Sequence, residues 1–137
     1  MRAVNALSSV DAELTLPSEP RSVATARNAM SELARRVGAS AEDVRLAVSE
    51  AVANAVLHGY RGRRPGTIAV SGKLERGRLL IKVADDGIGM TPNLDSKGLG
   101  LGLSVISKLA ADVRFISSQE GTTVAMTFET DGAGGSD

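Results

Sequence analysis

Three short groups of residues have types and spacings that can do chemistry. Glu50, Asn54 and His58 fall at i, i+4 and i+8, so within a helix they line one polar stripe. A carboxylate there can take a proton from a hydroxyl or a water. The oxygen of Asn54 can ligate Mg2+ without adding charge, which suits a hard, partly hydrated ion. A solvated helix face accounts for Glu50 equally well, but Asn54 is a mediocre helix former set among Ala and Val. The second group, Asp85-Asp86-Gly87-Ile88-Gly89, follows the apolar run Leu79-Leu80-Ile81-Lys82-Val83-Ala84. A carboxylate at a strand end can accept a hydrogen bond from an exocyclic amine such as that of adenine. The two glycines let the backbone turn sharply and approach a flat ligand. Asp and Gly are also common in plain turns, and both readings stand for this segment alone. The third group is Gly98-Leu99-Gly100-Leu101-Gly102-Leu103, at the start of a helical pattern. Each glycine costs about 1 kcal/mol against Ala in a helix interior. Bare N–H groups ahead of a helix N-terminus instead suit a phosphate, and a hinge is the other reading. The spacing is not that of a dinucleotide fingerprint, and no GxxxxGK[ST] occurs.

These residues need elements to hold them. Alternation of Leu14 and Leu16 predicts a strand over Glu13–Leu16, with Pro17 and Pro20 bracketing a turn. Val23, Ala26, Met30, Leu33, Ala34 and Val37 recur at helical spacing, so a helix is predicted from about Arg21 to Val37, stopped by Gly38. Ser40 is placed as the N-cap of a second helix, Ala41 to Leu57, with Asp43 three residues on. Its buried face is predicted as Val44, Ala47, Val48, Ala51 and Ala55, which leaves Glu50 and Asn54 off the core. Thr67–Lys73 and Arg78–Ala84 form a hairpin around Glu75-Arg76-Gly77, and Val113–Ser117 and Thr122–Glu129 form another. A third helix is predicted over Leu99–Ala111. The order β-α-α-ββ-α-ββ predicts an α+β, two-layer α/β sandwich, with three helices on one face of a mixed, mainly antiparallel sheet. The candidate chemistry and all these elements fall within residues 10–129, read as one domain. Residues 130–137, Gly-rich and acidic, are expected to be a disordered tail.

Composition excludes several classes. Cys is absent, so there is no disulfide framework, thiolate metal site or Cys nucleophile, and a single His argues against a His-based zinc cluster. Lys+Arg and Asp+Glu are both 16, giving a net charge of +0, and aromatics are 2%. Neither balance suits a nucleic-acid binder. No secretory or membrane-spanning segment is read at the N-terminus or elsewhere, so a cytoplasmic location is expected.

Taken together and in order, Glu50xxxAsn54, DxGxG at Asp85–Gly89, GxGxGL at Gly98–Leu103 and Gly121-Thr122 resemble the ATP-binding boxes of the GHKL superfamily, over about Leu14 to Phe128. One branch is closer. Ser49-Glu50-Ala51, Asn54-Ala55 and His58-Gly59-Tyr60 are similar to the "SEAxxNAxxHGY" helix of bacterial anti-sigma factors that are serine/threonine protein kinases, the partner-switching regulators of sporulation and general stress response. The resemblance implies a Bergerat-type ATP-binding fold that uses ATP and Mg2+. It implies Glu50 as general base toward a protein hydroxyl and Asn54 as the Mg2+ ligand. Asp85 would accept from the adenine amine, with Thr122 assisting through a water. Gly87 and Gly89 would shape the adenine pocket, and Gly98, Gly100, Gly102 and Leu103 the triphosphate loop. Lys97 would offer a charge to the phosphates or stay solvated, and His58 would pack and cap its helix. Met90–Lys97 is shorter than the sporulation kinases' lid, which leaves open a module that switches partners on ATP occupancy without kinase activity. A detached histidine-kinase catalytic domain is a third reading. The implied partners are a sigma factor, a STAS-type anti-anti-sigma protein and a second copy in a homodimer, with no direct nucleic acid and no membrane. Arg27 aligns with an arginine that touches both competing partners, and is otherwise a solvated charge.

Overall fold

The computed structural model describes residues 11–59, 66–86, 104–118 and 121–131. Strand β1 is Asp11–Pro17, helix α1 Ser22–Val37 and helix α2 Ala41–Gly59. Strands β2, Thr67–Glu75, and β3, Arg78–Asp85, follow. Residues 104–109 are helical (α3), and β4, Asp112–Ser118, and β5, Gly121–Glu129, close the chain. The described part of the third predicted helix begins at 104; residues 99–103 of that prediction lie outside the described residues. The first two residues expected in the tail are instead held in place: Thr130 is buried and its hydroxyl donates to the Gly77 carbonyl at 2.6 Å, and the Asp131 N–H donates to the Gly38 carbonyl. Residues 132–137 lie outside the described residues.

The five strands form one sheet in the order β1-β2-β3-β5-β4, and every neighbouring pair is antiparallel. Strands β3 and β4 run the same way, but β5 inserts between them. Among the described residues no parallel pair therefore forms, where the sequence allowed a mixed sheet. The β2–β3 hairpin turns on Arg76 at φ 54° and Gly77 at φ 78°. Two positive φ values in a two-residue loop match the twist of the flanking strands, and Gly takes one of them without steric cost.

The helices cover one face. Ala26, Met30, Leu33 and Ala34 of α1 are buried, as are Val44, Ala47, Val48, Ala51, Val52, Ala55 and Val56 of α2. Helix α1 ends at Gly38, φ 83°, whose N–H returns to the Ala34 carbonyl. The Ser40 hydroxyl accepts the Asp43 N–H at 3.2 Å, so the predicted N-cap is in place. Helix α1 sits directly over Gly72 of β2: a Cβ there would come within 2.7 Å of Leu33 Cδ2 and 3.0 Å of Met30 Sδ. Among the described residues, no helix is long and apolar enough to cross a membrane.

Candidate nucleotide site

The helix-facing side of the sheet is built of cross-strand rows. Ala12, Gly72, Ile81, Met126 and Val113 form one, and Leu14, Val70, Val83, Val124 and Phe115 the next. Both are apolar and pack under the helices. The next row, toward the end of β3, is Leu16, Ile68, Asp85, Thr122 and Ser117. On β3, β5 and β4 the core face here changes from apolar to polar within one step of strand, while Leu16 and Ile68 keep it apolar on β1 and β2. Asp85 and Thr122 are direct cross-strand partners, so the two residues singled out for an adenine edge stand side by side. Both are half-buried.

Two features fix this row. Gly121 has φ 139°, a conformation that side-chain-bearing residues rarely adopt, and a Cβ on it would overlap the Asp85 carbonyl oxygen. Glycine therefore lets β5 begin against the end of β3 and brings Thr122 level with Asp85. Ser117 Oγ lies 3.4 Å from Thr122 Oγ1, long for a hydroxyl pair. Sequence reasoning did not single out Ser117. Its signal was its place in the alternation Val113, Phe115, Ser117, which becomes readable once the β4–β5 register is known.

Helix α2 brings the other candidates to this end. The Asp131 N–H, just past β5, donates to the Gly38 carbonyl at 2.8 Å. That contact fixes the start of α2 at the end of the sheet remote from Thr122. The helix then runs across β3, touching β2 and β5. Asn54 is 13 residues past Ala41, about 20 Å along the axis at 1.5 Å per residue. The C-terminal half of α2 is thus directed toward the polar row. Glu50 and Asn54 are half-buried on it, at the border between the packed face and the exposed one.

No cluster of three or more His, Cys, Asp or Glu occurs among the described residues. A divalent ion would meet no dedicated carboxylate cage there. The neutral oxygen of Asn54 fits the alternative, a Mg2+ held by one side chain, substrate phosphates and water. His58 lies within α2, but its side chain is outside the described residues, as are Gly87, Gly89, Lys97, Gly98, Gly100, Gly102 and Leu103. Arg27 is half-buried on α1. Its Nε is enclosed without a hydrogen-bond partner, so it is less solvated than a surface charge would be.

A family model described as a histidine kinase-like ATPase domain matches residues 16–128. The serine-protein kinase RsbW of Listeria innocua serovar 6a is 32% identical over 132 residues, covering 83% of this chain and 83% of that protein. The serine-protein kinase RsbW of Bacillus subtilis strain 168 is 32% identical over 133 residues, covering 84% and 82%. A crystal structure of the RsbU and RsbW domains of a Mycobacterium tuberculosis protein matches 88% of this chain with a TM-score of 0.70 at 27% identity. This chain spans 32% of that larger one.

Proposed function

Since the chain belongs to the histidine kinase-like ATPase family, we propose that it is an anti-sigma factor and ATP-dependent serine/threonine protein kinase. In this reading it holds a sigma factor in one state. In the other it phosphorylates a STAS-type anti-anti-sigma protein. The relatives named serine-protein kinase RsbW support the reaction type. The observation that carries the site is the Asp85–Thr122 pair at the polar end of the core face, with the half of α2 that bears Glu50 and Asn54 directed toward it.

The roles follow from the chemistry. Asp85 accepts from the 6-amino group of adenine, and Thr122 supplies a hydroxyl beside it. Glu50 takes the proton of a serine or threonine hydroxyl as that oxygen bonds to the γ-phosphorus. The bond to the β–γ bridging oxygen breaks, and ADP leaves. Asn54 would hold Mg2+, which neutralises phosphate charge when bound. Gly87 and Gly89 would line the adenine pocket. Lys97, Gly98, Gly100, Gly102 and Leu103 would surround the triphosphate. Arg27, which makes no ion pair with any described residue, would meet a carboxylate of either partner. A homodimer would form through β1, a sheet edge.

The direct test is to incubate the chain with ATP, Mg2+ and a candidate STAS protein and weigh the products. One added phosphate on a serine or threonine of the STAS protein is expected. ATP-dependent binding with no added phosphate would favour the switch without transfer. Acid-labile phosphate on a histidine would favour the histidine-kinase reading.

A further inference from the structure

Asp86, adjacent to the proposed adenine acceptor, has a side chain with its own partner. The β2–β3 register ends at Ile68 opposite Asp85, and one more step would set Thr67 opposite Asp86. The backbone bond there is long, with Asp86 N–H to the Thr67 carbonyl at 3.4 Å. The carboxylate continues the ladder instead. The Thr67 N–H donates to Asp86 Oδ1 at 3.0 Å, and the Thr67 hydroxyl to Oδ2 at 3.1 Å. Both oxygens are used on one residue, a two-pronged, charge-assisted tie. The main chain can thus leave the sheet at Asp86 while its register stays fixed.

The surroundings are shaped for this tie. A Cβ on Gly66 would overlap Asp86 Oδ1, so a glycine is what leaves room for the carboxylate. The Gly66 carbonyl accepts the Ser18 N–H at 3.0 Å, which fastens the anchor to the β1–α1 corner. On the other flank, Gly121 abuts the Asp85 carbonyl and the Asp86 Cα. Asp85 therefore ends its strand between two fixed neighbours, Thr67 tied by a side chain and Gly121 seated by contact.

We propose that Asp86 is a positioning residue for purine recognition: its two bonds to Thr67 hold the Asp85 carboxylate where the 6-amino group of adenine meets it. This rests on reading Asp85 as the adenine acceptor. A residue that only stabilised the hairpin would change the melting temperature and leave base preference alone. A residue that aims Asp85 changes the preference itself.

The test measures dissociation constants for ATP and for inosine triphosphate, which carries a 6-oxo group instead of the amine. It is run well below the unfolding temperature of every variant. Asp85→Asn sets the scale and should cut the preference for ATP by about tenfold, the worth of one hydrogen bond to a charged group. Asp86→Ala should cut it by about three- to tenfold, and Thr67→Val, which keeps the N–H bond, by less. Asp86→Asn, able to accept the N–H and donate to the hydroxyl, should restore most of it. An unchanged preference in both Asp86→Ala and Thr67→Val, with Asp85→Asn impaired, overturns the proposal alone. An unchanged preference in Asp85→Asn overturns the adenine reading and this proposal with it. If Asp86→Ala does not fold, Thr67→Val decides.

Discussion

Adjacent carboxylates face different surroundings here because a strand sends successive side chains to opposite faces. Asp85 falls in the row under the helices, and Asp86 turns out to the Thr67 edge. The motif alone offered Asp85 equally as an acceptor and as part of a plain turn. It could not show the partner of Asp86, which lies 19 residues away in sequence and depends on the β2–β3 register. Gly121 shows the same limit. Its place before Thr122 was readable, but its reason is a backbone contact with Asp85. Gly121→Ala should destabilise the fold by about 1–3 kcal/mol, as expected for side-chain-bearing residues forced into such backbone conformations. It should also weaken ATP binding beyond what Ser118→Ala does on the opposing strand. Thermal melts and nucleotide titrations check both, and wild-type ATP affinity in a folded Gly121→Ala would separate this contact from the site.

At the scale of elements, helical and strand periodicity made most of the fold readable. The cap at Ser40, the stop at Gly38 and both hairpins rest on local rules that tertiary contacts did not override. What periodicity could not supply was strand order, because β5 inserting between β3 and β4 is a long-range choice. That insertion is what places Thr122 beside Asp85. The seating of α1 on β2 was equally hidden. It depends on Gly72, where any side chain meets Leu33 and Met30, both essentially fully buried. Gly72→Val should therefore cost about 1–3 kcal/mol by overpacking, measurable as a lower denaturation midpoint. Leu33→Ala in the same background should recover part of the loss by making room, where in the wild type it would cost about 2–5 kcal/mol. Strictly additive losses would mean that the two side chains do not compete for the same space.

At the scale of the whole molecule, one end of the sheet carries the polar row and the other the α1–α2 turn, tied to Asp131. The proposed partner exchange would use a second surface. Arg27 has a planar fork suited to a carboxylate on either partner. Arg27→Glu should leave ATP affinity within about twofold of wild type, as for a remote site with little coupling, while weakening both the sigma factor and the STAS protein in pull-down or titration. A loss confined to one partner would show that Arg27 is not shared. The central claim, however, is phosphoryl transfer with Glu50 as the base. The measurement that reaches it most directly compares wild type with Glu50→Gln for ATP affinity and for the rate of phosphate addition to the STAS protein, followed by intact mass. The account predicts nearly unchanged ATP binding and a transfer rate lowered by about 10²-fold or more, the scale of a lost general base. Transfer at the wild-type rate by Glu50→Gln would contradict it.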